Sequence, residues 1–298
     1  SLTYSMSGNT NHMSPDDHYQ NLKRIIAAVG GKAKRINVIM PFLYESRQHK
    51  RSSRESLDCA LALQELTHMG VDNIITFDAH DPRVQNAIPL SGFETVRPTY
   101  QFVKGLLDRY DDLIIDSDHM MAISPDEGAT ERAVYLANVL NLDMGMFYKR
   151  RDYTRVVNGR NPIVAHEFLG SSVEGKDVII LDDMISSGDS ILDVAKQLKS
   201  RNAKRIFAAA TFGLFTNGLD KFDEAYESGL IDGVLTTNLI YQTPELLSRP
   251  YYINCDMSKY VALMIDTLNH DGSISDILDP SERIQVCVEE YKKAHGQL

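Results

Sequence analysis

The stretch from Val178 to Lys199, VIILDDMISSGDSILDVAKQLK, constrains the fold more than any other part of the sequence. Its first four residues are apolar, and the run is short enough for a strand that is buried on both faces. After a polar segment, apolar residues recur at helical spacing, at Ile191, Val194, Ala195 and Leu198. The succession therefore predicts a strand, a turn and a helix, which together form half of a βαβ unit.

The polar segment lies at the carboxyl end of the predicted strand, where open parallel sheets place their ligands. Free backbone N–H groups at the start of a helix suit a phosphate, and carboxylates can accept hydrogen bonds from sugar hydroxyls. A capped turn without any ligand is equally compatible with these residue types, because Asp and Ser are ordinary N-cap residues. The segment contains Asp182, Asp183, Ser186, Ser187, Gly188, Asp189 and Ser190.

Short apolar runs that predict strands alternate with helical patterns along most of the chain. Besides 178–181, the runs lie at 36–40, 73–77, 119–123, 144–147, 205–211, 233–237 and 251–255. Strands that alternate with helices indicate an α/β fold, because parallel strands need crossover connections. We therefore predict two domains, residues 1–148 and 149–298, each with a mainly parallel sheet flanked by helices.

The composition argues against several classes of function. The 298 residues include 31 Lys and Arg against 41 Asp and Glu, a net charge of −10. This balance argues against nucleic acid or a membrane as a partner, and the sequence contains no long apolar span. The three cysteines are far apart and odd in number, so we expect reduced thiols and a cytoplasmic location.

Four further polar clusters follow predicted strands. Arginine suits phosphate oxygens, and a carboxylate with a neutral imidazole suits Mg²⁺, which takes few protein ligands. Each cluster alone is also typical of a solvated loop or of a structural side chain. The clusters are Arg-Gln-His-Lys-Arg at 47–51, Asp-Ala-His at 78–80, Ser-Pro-Asp-Glu-Gly-Ala at 124–129 and Lys-Arg-Arg at 149–151.

Taken together and in this order, the clusters resemble the motifs of the ribose-phosphate pyrophosphokinase (phosphoribosyl-diphosphate, PRPP, synthetase) family. The segment 182–190 resembles its PRPP-binding loop, and the sequence YESRQ at 44–48 resembles its Tyr-x-x-Arg-Gln motif. Asp-Ala-His is similar to its Asp-Leu-His motif, Ser-Pro-Asp is shared, and Lys-Arg-Arg matches its Lys-x-Arg motif. The resemblance extends from about residue 8 to residue 273 and implies two domains of the type I phosphoribosyltransferase fold.

The resemblance also implies a reaction and a set of site residues. The β,γ-diphosphoryl group of ATP is transferred to the 1-hydroxyl of ribose 5-phosphate, which yields PRPP and AMP. In the N-terminal domain, Arg47 and Gln48 bind ATP, and a chain of this family forms a dimer or a hexamer. The implied Mg²⁺ ligands are His80, Asp126 and Asp78, the catalytic residues are Lys149 and Arg151, and the ribose 5-phosphate contacts are Asp182, Asp183, Ser186, Ser187, Gly188, Asp189 and Ser190.

The sequence departs from the family pattern in its sugar-phosphate loop. Ser186 stands where the family has an acid, and Asp189, in place of a small residue, brings negative charge near the expected 5-phosphate. The resemblance also implies about 50 earlier residues that would supply the first strands of the N-terminal sheet. Two alternatives stay open: a phosphoribosyltransferase that uses PRPP, and a non-catalytic regulatory subunit with the same fold.

Overall fold

The computed structural model describes residues 13–51, 53–151 and 163–297. The helices are α1 (Pro15–Val29), α2 (Asp58–His68), α3 (Thr99–Arg109), α4 (Thr130–Leu140), α5 (Asp189–Lys199), α6 (Asp220–Glu227), α7 (Pro244–Leu247), α8 (Ser258–Asn269), α9 (Ser275–Leu278) and α10 (Ser281–Ala294), with a 3₁₀ helix at Pro82–Ala87. The strands are β1 (Asn37–Met40), β2 (Asn73–Phe77), β3 (Gly92–Val96), β4 (Met120–Ser124), β5 (Asp143–Arg151), β6 (Ile163–Leu169), β7 (Asp177–Ile185), β8 (Arg205–Gly213), β9 (Gly233–Thr237) and β10 (Tyr252–Cys255).

The chain divides into two compact units. Unit 1 comprises Ser1–Pro98, Thr237–Gln242 and Met257–Leu278. Unit 2 comprises Thr99–Thr236, Thr243–Asp256 and Asp279–Leu298. No helix in the described parts of the chain has the length and apolar character needed to cross a membrane.

Unit 1 contains a parallel sheet in the order β1-β2-β3. Helix α1 begins as its sequence predicts: Ser14 Oγ accepts a hydrogen bond from Asp17 N–H (3.1 Å), and the Asp17 carboxylate accepts one from Ser14 N–H (2.9 Å). This reciprocal capping satisfies two backbone donors at the helix start. Tyr19 and Ile26 on the inner face of α1 are buried in the core of the unit, together with residues of α2 and β2.

Unit 2 contains a sheet of seven described strands in the order β10-β9-β8-β7-β4-β5-β6. The pairs β4–β5, β4–β7, β7–β8 and β8–β9 are parallel, and β6 is antiparallel to β5. On β7, Val178 and Ile180 face a core shared with α5 and α6. Ile179 and Leu181 face the opposite core, shared with α3, α4 and α10. Burial on both faces explains the continuous apolar run, and the predicted α/β class is confirmed.

Two strands extend beyond the predicted runs because they have long partners. Strand β7 reaches Ile185, since β8 pairs with it as far as Gly213. Asp182 and Asp183 therefore lie within the strand rather than after it. Strand β5 continues through Arg151 along β6, so the cluster 149–151, predicted to follow the strand at 144–147, is part of that strand.

The two units differ from the predicted domains 1–148 and 149–298. Strands β4 and β5 precede residue 148 or cross it, yet they belong to the sheet of unit 2 because β4 pairs with β7, Ile123 opposite Ile180. The apolar runs predicted these strands but contained no information about their neighbours. The chain consequently first passes from unit 1 to unit 2 between Pro98 and Thr99, and two later segments, Thr237–Gln242 and Met257–Leu278, return to unit 1.

Candidate functional site

Adjacent strands β4 and β7 bring the Ser-Pro-Asp segment and the paired aspartates to one edge of the sheet in unit 2. Both strands run in the same direction, so their carboxyl ends meet there. Just after β4, Asp126 Oδ1 accepts hydrogen bonds from Gly128 N–H (2.9 Å) and Ala129 N–H (3.3 Å). Ser124 Oγ donates to the Asp126 carbonyl oxygen at 2.6 Å. These bonds fix the turn that leads into α4.

The electrostatics of this edge are dominated by three carboxylates. Asp183 is buried, and its N–H donates to Asp182 Oδ1 at 2.8 Å. Burial raises the pKa of Asp182 well above its usual value, and the negative charges of Asp183 and, more weakly, Asp126 act in the same direction. Groups that donate hydrogen bonds, or a cation, would stabilise the charged forms of these carboxylates. Sugar hydroxyls and a divalent cation are ligands of this kind.

The turn after β7 is shaped by Gly188 and by the segment that follows β8. Gly188 has a left-handed φ of +84° and immediately precedes the first residue of α5, Asp189. A Cβ atom at Gly188 would lie 2.4 Å from the ring of Phe222, so the backbone of the turn packs directly against α6. Thr216 N–H donates to the Ser186 carbonyl oxygen at 3.0 Å. The turn thus has a packed, hydrogen-bonded support.

Asp189 is paired with a lysine that the sequence did not indicate. Lys221 Nζ donates to Asp189 Oδ1 at 2.5 Å, and Ser187 Oγ donates to Asp189 Oδ2 at 3.0 Å. The hydrogen bond from Lys221 is the largest influence that lowers the pKa of Asp189. The negative charge expected to disturb phosphate binding is therefore compensated locally. Lys221 lies on a different helix, which explains why no local motif indicated it.

In unit 1, the loop after β1 presents Arg47 and Gln48. The Arg47 residue is exposed and Gln48 is partly buried. Gln48 Nε2 donates to the Ser56 carbonyl oxygen at 2.8 Å, and its backbone N–H donates to the Glu45 carbonyl oxygen at 2.8 Å. The glutamine therefore stabilises the loop, and the neighbouring arginine faces solvent.

The segment 78–80 contacts this loop within unit 1. Asp78 is buried and has a left-handed φ of +44°, which turns the chain at the end of β2. Ala79 N–H donates to Thr95 Oγ1 (2.9 Å), and His80 N–H donates to Ser46 Oγ (3.1 Å). The clusters at 47–51 and 78–80, both singled out in the sequence, thus belong to neighbouring segments of unit 1.

His49 and Asp81 belong to the same region of unit 1, and neither was assigned a role in the site from the sequence. The His49 ring lies 5.2 Å from the His80 ring, and its Nε2 lies 3.4 Å from Asp81 Oδ2. Burial lowers the pKa of His49. Hydrogen bonds from Arg83 hold the pKa of Asp81 at about 2. Asp81 is therefore ionised near neutral pH, where the lowered pKa favours a neutral His49.

The predicted metal-binding and catalytic residues lie in different parts of the fold. Within residues 13–51, 53–151 and 163–297, no group of three or more His, Cys, Asp or Glu side chains is arranged to hold a metal ion. His80 and Asp78 lie in unit 1, and Asp126 lies in unit 2. The backbone of Lys149 and Arg151 forms part of β5, but their side chains lie outside the described residues.

Comparison with known proteins defines the class and the family. Residues 97–237 match the phosphoribosyl transferase domain, and residues 5–70 match the N-terminal domain of ribose phosphate pyrophosphokinase. The ribose-phosphate pyrophosphokinase of Mycoplasma genitalium is 31% identical over 229 residues, which cover 76% of this chain and 65% of that protein. The enzyme of the same name from Shewanella oneidensis is 30% identical over 263 residues, 86% of this chain and 78% of that protein.

A solved structure supports the same assignment. Phosphoribosylpyrophosphate synthetase from Mycobacterium smegmatis superposes with a TM-score of 0.73 and 25% identity, over 86% of this chain and 79% of that one. The fold and the site at the edge of the seven-stranded sheet therefore define a protein with a phosphoribosyl transferase domain. More specifically, the chain belongs to the ribose-phosphate pyrophosphokinase family, which confirms the family prediction. It spans 65% and 66% of the length of the relatives from Mycoplasma genitalium and Mycoplasma pneumoniae.

Proposed function

We propose that the chain is a ribose-phosphate pyrophosphokinase, which transfers the β,γ-diphosphoryl group of ATP to ribose 5-phosphate. The observation that carries the proposal is the shared edge of β4 and β7 in a chain of this family. There Asp126 lies near Asp182, close enough to raise its pKa, and the turn at 186–190 follows directly. This edge offers acceptors for a sugar and backbone donors for a phosphate.

On the sugar side, Asp182 and Asp183 accept hydrogen bonds from the ribose hydroxyls. These hydroxyls replace water as donors to carboxylates that are partly or fully buried. The 5-phosphate binds at residues 186–190, where the first N–H groups of α5 have no partners within the helix. Ser187 and Ser190 add hydroxyl donors to the same turn.

On the nucleotide side, the exposed Arg47 binds the phosphates of ATP, because a guanidinium matches phosphate oxygens in charge and geometry. The Gln48 amide donates to Ser56, and its oxygen can accept a hydrogen bond from the nucleotide. Both residues lie within the segment 5–70 that matches the N-terminal domain of ribose phosphate pyrophosphokinase, and this match supports their assignment to ATP.

The reaction is a displacement at the β-phosphorus of ATP. The 1-hydroxyl oxygen of ribose 5-phosphate forms a bond to that phosphorus and loses its proton. The bond between the β-phosphorus and the oxygen bridging it to the α-phosphorus breaks, and AMP leaves with the bonding electron pair. We assign Lys149 and Arg151 to the stabilisation of the charge that develops on the transferred group.

The carboxylates of the site fit a divalent cation. The negative charge of Asp126 raises the pKa of Asp182, and Mg²⁺ prefers oxygen ligands while retaining several waters. We propose Asp126 as a ligand in unit 2, with His80 and Asp78 as the ligands in unit 1. Bound with ATP, Mg²⁺ would neutralise phosphate charge and polarise the phosphoryl oxygens.

We also propose that the protein is a cytoplasmic homo-oligomer, a dimer or a hexamer, and that it acts in nucleotide biosynthesis. Cys59, Cys255 and Cys287 are free thiols, and the first two are buried. This state is consistent with a reducing compartment. A non-catalytic regulatory subunit is the second candidate, since Ser186 stands where the family loop has an acid.

An assay of AMP release from Mg-ATP, with and without ribose 5-phosphate, tests the proposal. We expect AMP formation that depends on the sugar phosphate and yields PRPP in equal amount. Lys149→Ala should reduce turnover by about 10²-fold or more while leaving the unfolding midpoint unchanged. Lys104→Ala, which removes an exposed ion pair with Asp108 on α3, is the control.

The remaining outcomes separate the alternatives. Release of diphosphate from PRPP and a purine or pyrimidine base, without AMP formation, would identify a phosphoribosyltransferase. A folded chain that is inactive in both assays but raises the activity of an active relative would identify a regulatory subunit.

A further inference from the structure

We propose that Lys221, on α6, is a specificity-determining residue that recognises the 5-phosphate of the sugar, and that Asp189 holds its ammonium group in place until the phosphate binds. This inference rests on the proposed role of the turn 186–190 as the site of the sugar phosphate. It adds a cationic side chain to a turn whose own residues carry no positive charge.

The geometry of the pair places a cation at the start of α5. Lys221 Nζ lies 2.5 Å from Asp189 Oδ1, and both side chains are about half exposed, 51% and 55%. Ser187 Oγ donates to the other oxygen of Asp189 at 3.0 Å. The Asp189 carboxylate therefore binds an ammonium group and a hydroxyl group beside the first turn of α5. These are the kinds of donors that a phosphate recruits.

The position of Lys221 is determined by packing rather than by the ion pair alone. Phe222, the next residue, is fully buried, and its ring contacts Gly188 closely enough to exclude a side chain there. Phe215 packs edge-on against Phe222 with ring centroids 5.2 Å apart. The start of α6 is thus anchored against the turn, so Lys221 remains near it even when the ion pair opens.

Charge favours the transfer of the Lys221 ammonium group from Asp189 to the phosphate of the substrate. A sugar phosphate carries about 1.5 to 2 negative charges near neutral pH, more than the single charge of Asp189, and has three terminal acceptor oxygens. Asp189 raises the pKa of Lys221, so the ammonium group is charged near neutral pH, where the phosphate is an anion. Half-exposed side chains can rotate towards solvent, and the ion pair of Asp189 is of the weak, exposed kind.

A double-mutant cycle of Asp189→Ala and Lys221→Met tests the proposal. We expect Lys221→Met to weaken ribose 5-phosphate binding about tenfold or more, as expected for loss of a hydrogen bond to a charged group. The decisive comparison is made in the Asp189→Ala background. If Lys221 recognises phosphate, Lys221→Met again weakens binding by about tenfold there. If Lys221 only neutralises Asp189, the second substitution has no effect, and the proposal is overturned.

Three further measurements complete the test. Lys221→Arg, which keeps the charge, should restore most of the binding lost in Lys221→Met. Binding of ribose, which lacks the phosphate, should be insensitive to Lys221→Met, and an equal loss for ribose would overturn the proposal. The control is Lys104→Met, because the Lys104–Asp108 pair has a similar length, 2.6 Å, and similar exposure, 49% and 62%.

Direct binding, measured by titration calorimetry, keeps this inference separate from the reaction. Suppose that the wild-type chain binds ribose 5-phosphate but forms no AMP, and that Lys221→Met weakens this binding. This result would refute the kinase activity and support the role of Lys221 in phosphate recognition. The opposite result is also informative. If the wild-type chain forms PRPP, and Lys221→Met leaves both the affinity and the KM for ribose 5-phosphate unchanged, the kinase activity is supported and the role of Lys221 in phosphate recognition is refuted.

Discussion

Substitution of Gly188 by alanine should destabilise unit 2 for two separable reasons. The residue has φ +84°, and a Cβ atom would lie 2.4 Å from one carbon of the Phe222 ring and 2.5 Å from another. A left-handed conformation costs a residue with a side chain about 1–2 kcal/mol. Forcing a methyl group into a packed site costs about 1–3 kcal/mol more. The expected loss is therefore about 2–5 kcal/mol, a large fraction of a typical domain stability of about 5–15 kcal/mol.

Gly218→Ala is the matched control because it isolates the backbone contribution. Gly218 also has a left-handed φ, +78°, but no atom lies within 4 Å of the position that its Cβ would occupy. We expect it to lower the free energy of unfolding by about 1–2 kcal/mol. The difference between the two variants then measures the contact between the turn and the Phe222 ring.

The assay is urea-induced unfolding followed by circular dichroism, with the free energy obtained by linear extrapolation. Phe222→Leu removes part of the ring, so in the Gly188→Ala background it should cost less than it does alone, a coupling of about 1 kcal/mol. Equal destabilisation by Gly188→Ala and Gly218→Ala, or additive effects with Phe222→Leu, would refute the close packing of the turn on α6.

Two further predictions concern ion pairs. Arg83 holds the pKa of Asp81 at about 2, below its usual value, so the pair stabilises the fold above about pH 4 and loses that effect as the pH falls towards 2. Arg83→Ala should therefore reduce the free energy of unfolding only slightly at pH 7, because Arg83 is exposed, and by less at pH 2.5. Urea unfolding at both pH values measures this, and an equal loss at both would contradict the assignment. Arg205 donates to the buried Asp177 (2.7 Å) and to the exposed Asp112 (2.7 Å). Arg205→Ala should lower the free energy of unfolding by about 3–5 kcal/mol, because it leaves Asp177 buried without this partner. Asp112→Ala should lower it by less than about 1 kcal/mol. Similar losses for both variants in urea unfolding would contradict this account.

Local sequence patterns predicted most of the elements that support the site. In α1, Ser14 is the N-cap, Pro15 is the first helical residue and Gly30 is the C-cap, since capping and the Pro and Gly preferences act over a few residues. The apolar run 73–77 corresponds to β2 without a change of boundaries. Strands β3 and β6 were missed. In β3 only Phe93 and Val96 are buried, and β6 is an edge strand of its sheet. Neither strand contains a clear apolar run.

The sequence by itself determined the α/β class, the turn between β7 and α5, and the motifs that identify the family. These features depend on residue type and short-range spacing, which a single sequence contains. Only the tertiary structure decided that β4 lies beside β7, so that Asp126 raises the pKa of Asp182. It likewise decided that Lys221 pairs with Asp189, 32 residues away. Strand neighbours and ion pairs of this kind arise from the packing of distant segments, and no local period in the sequence encodes them.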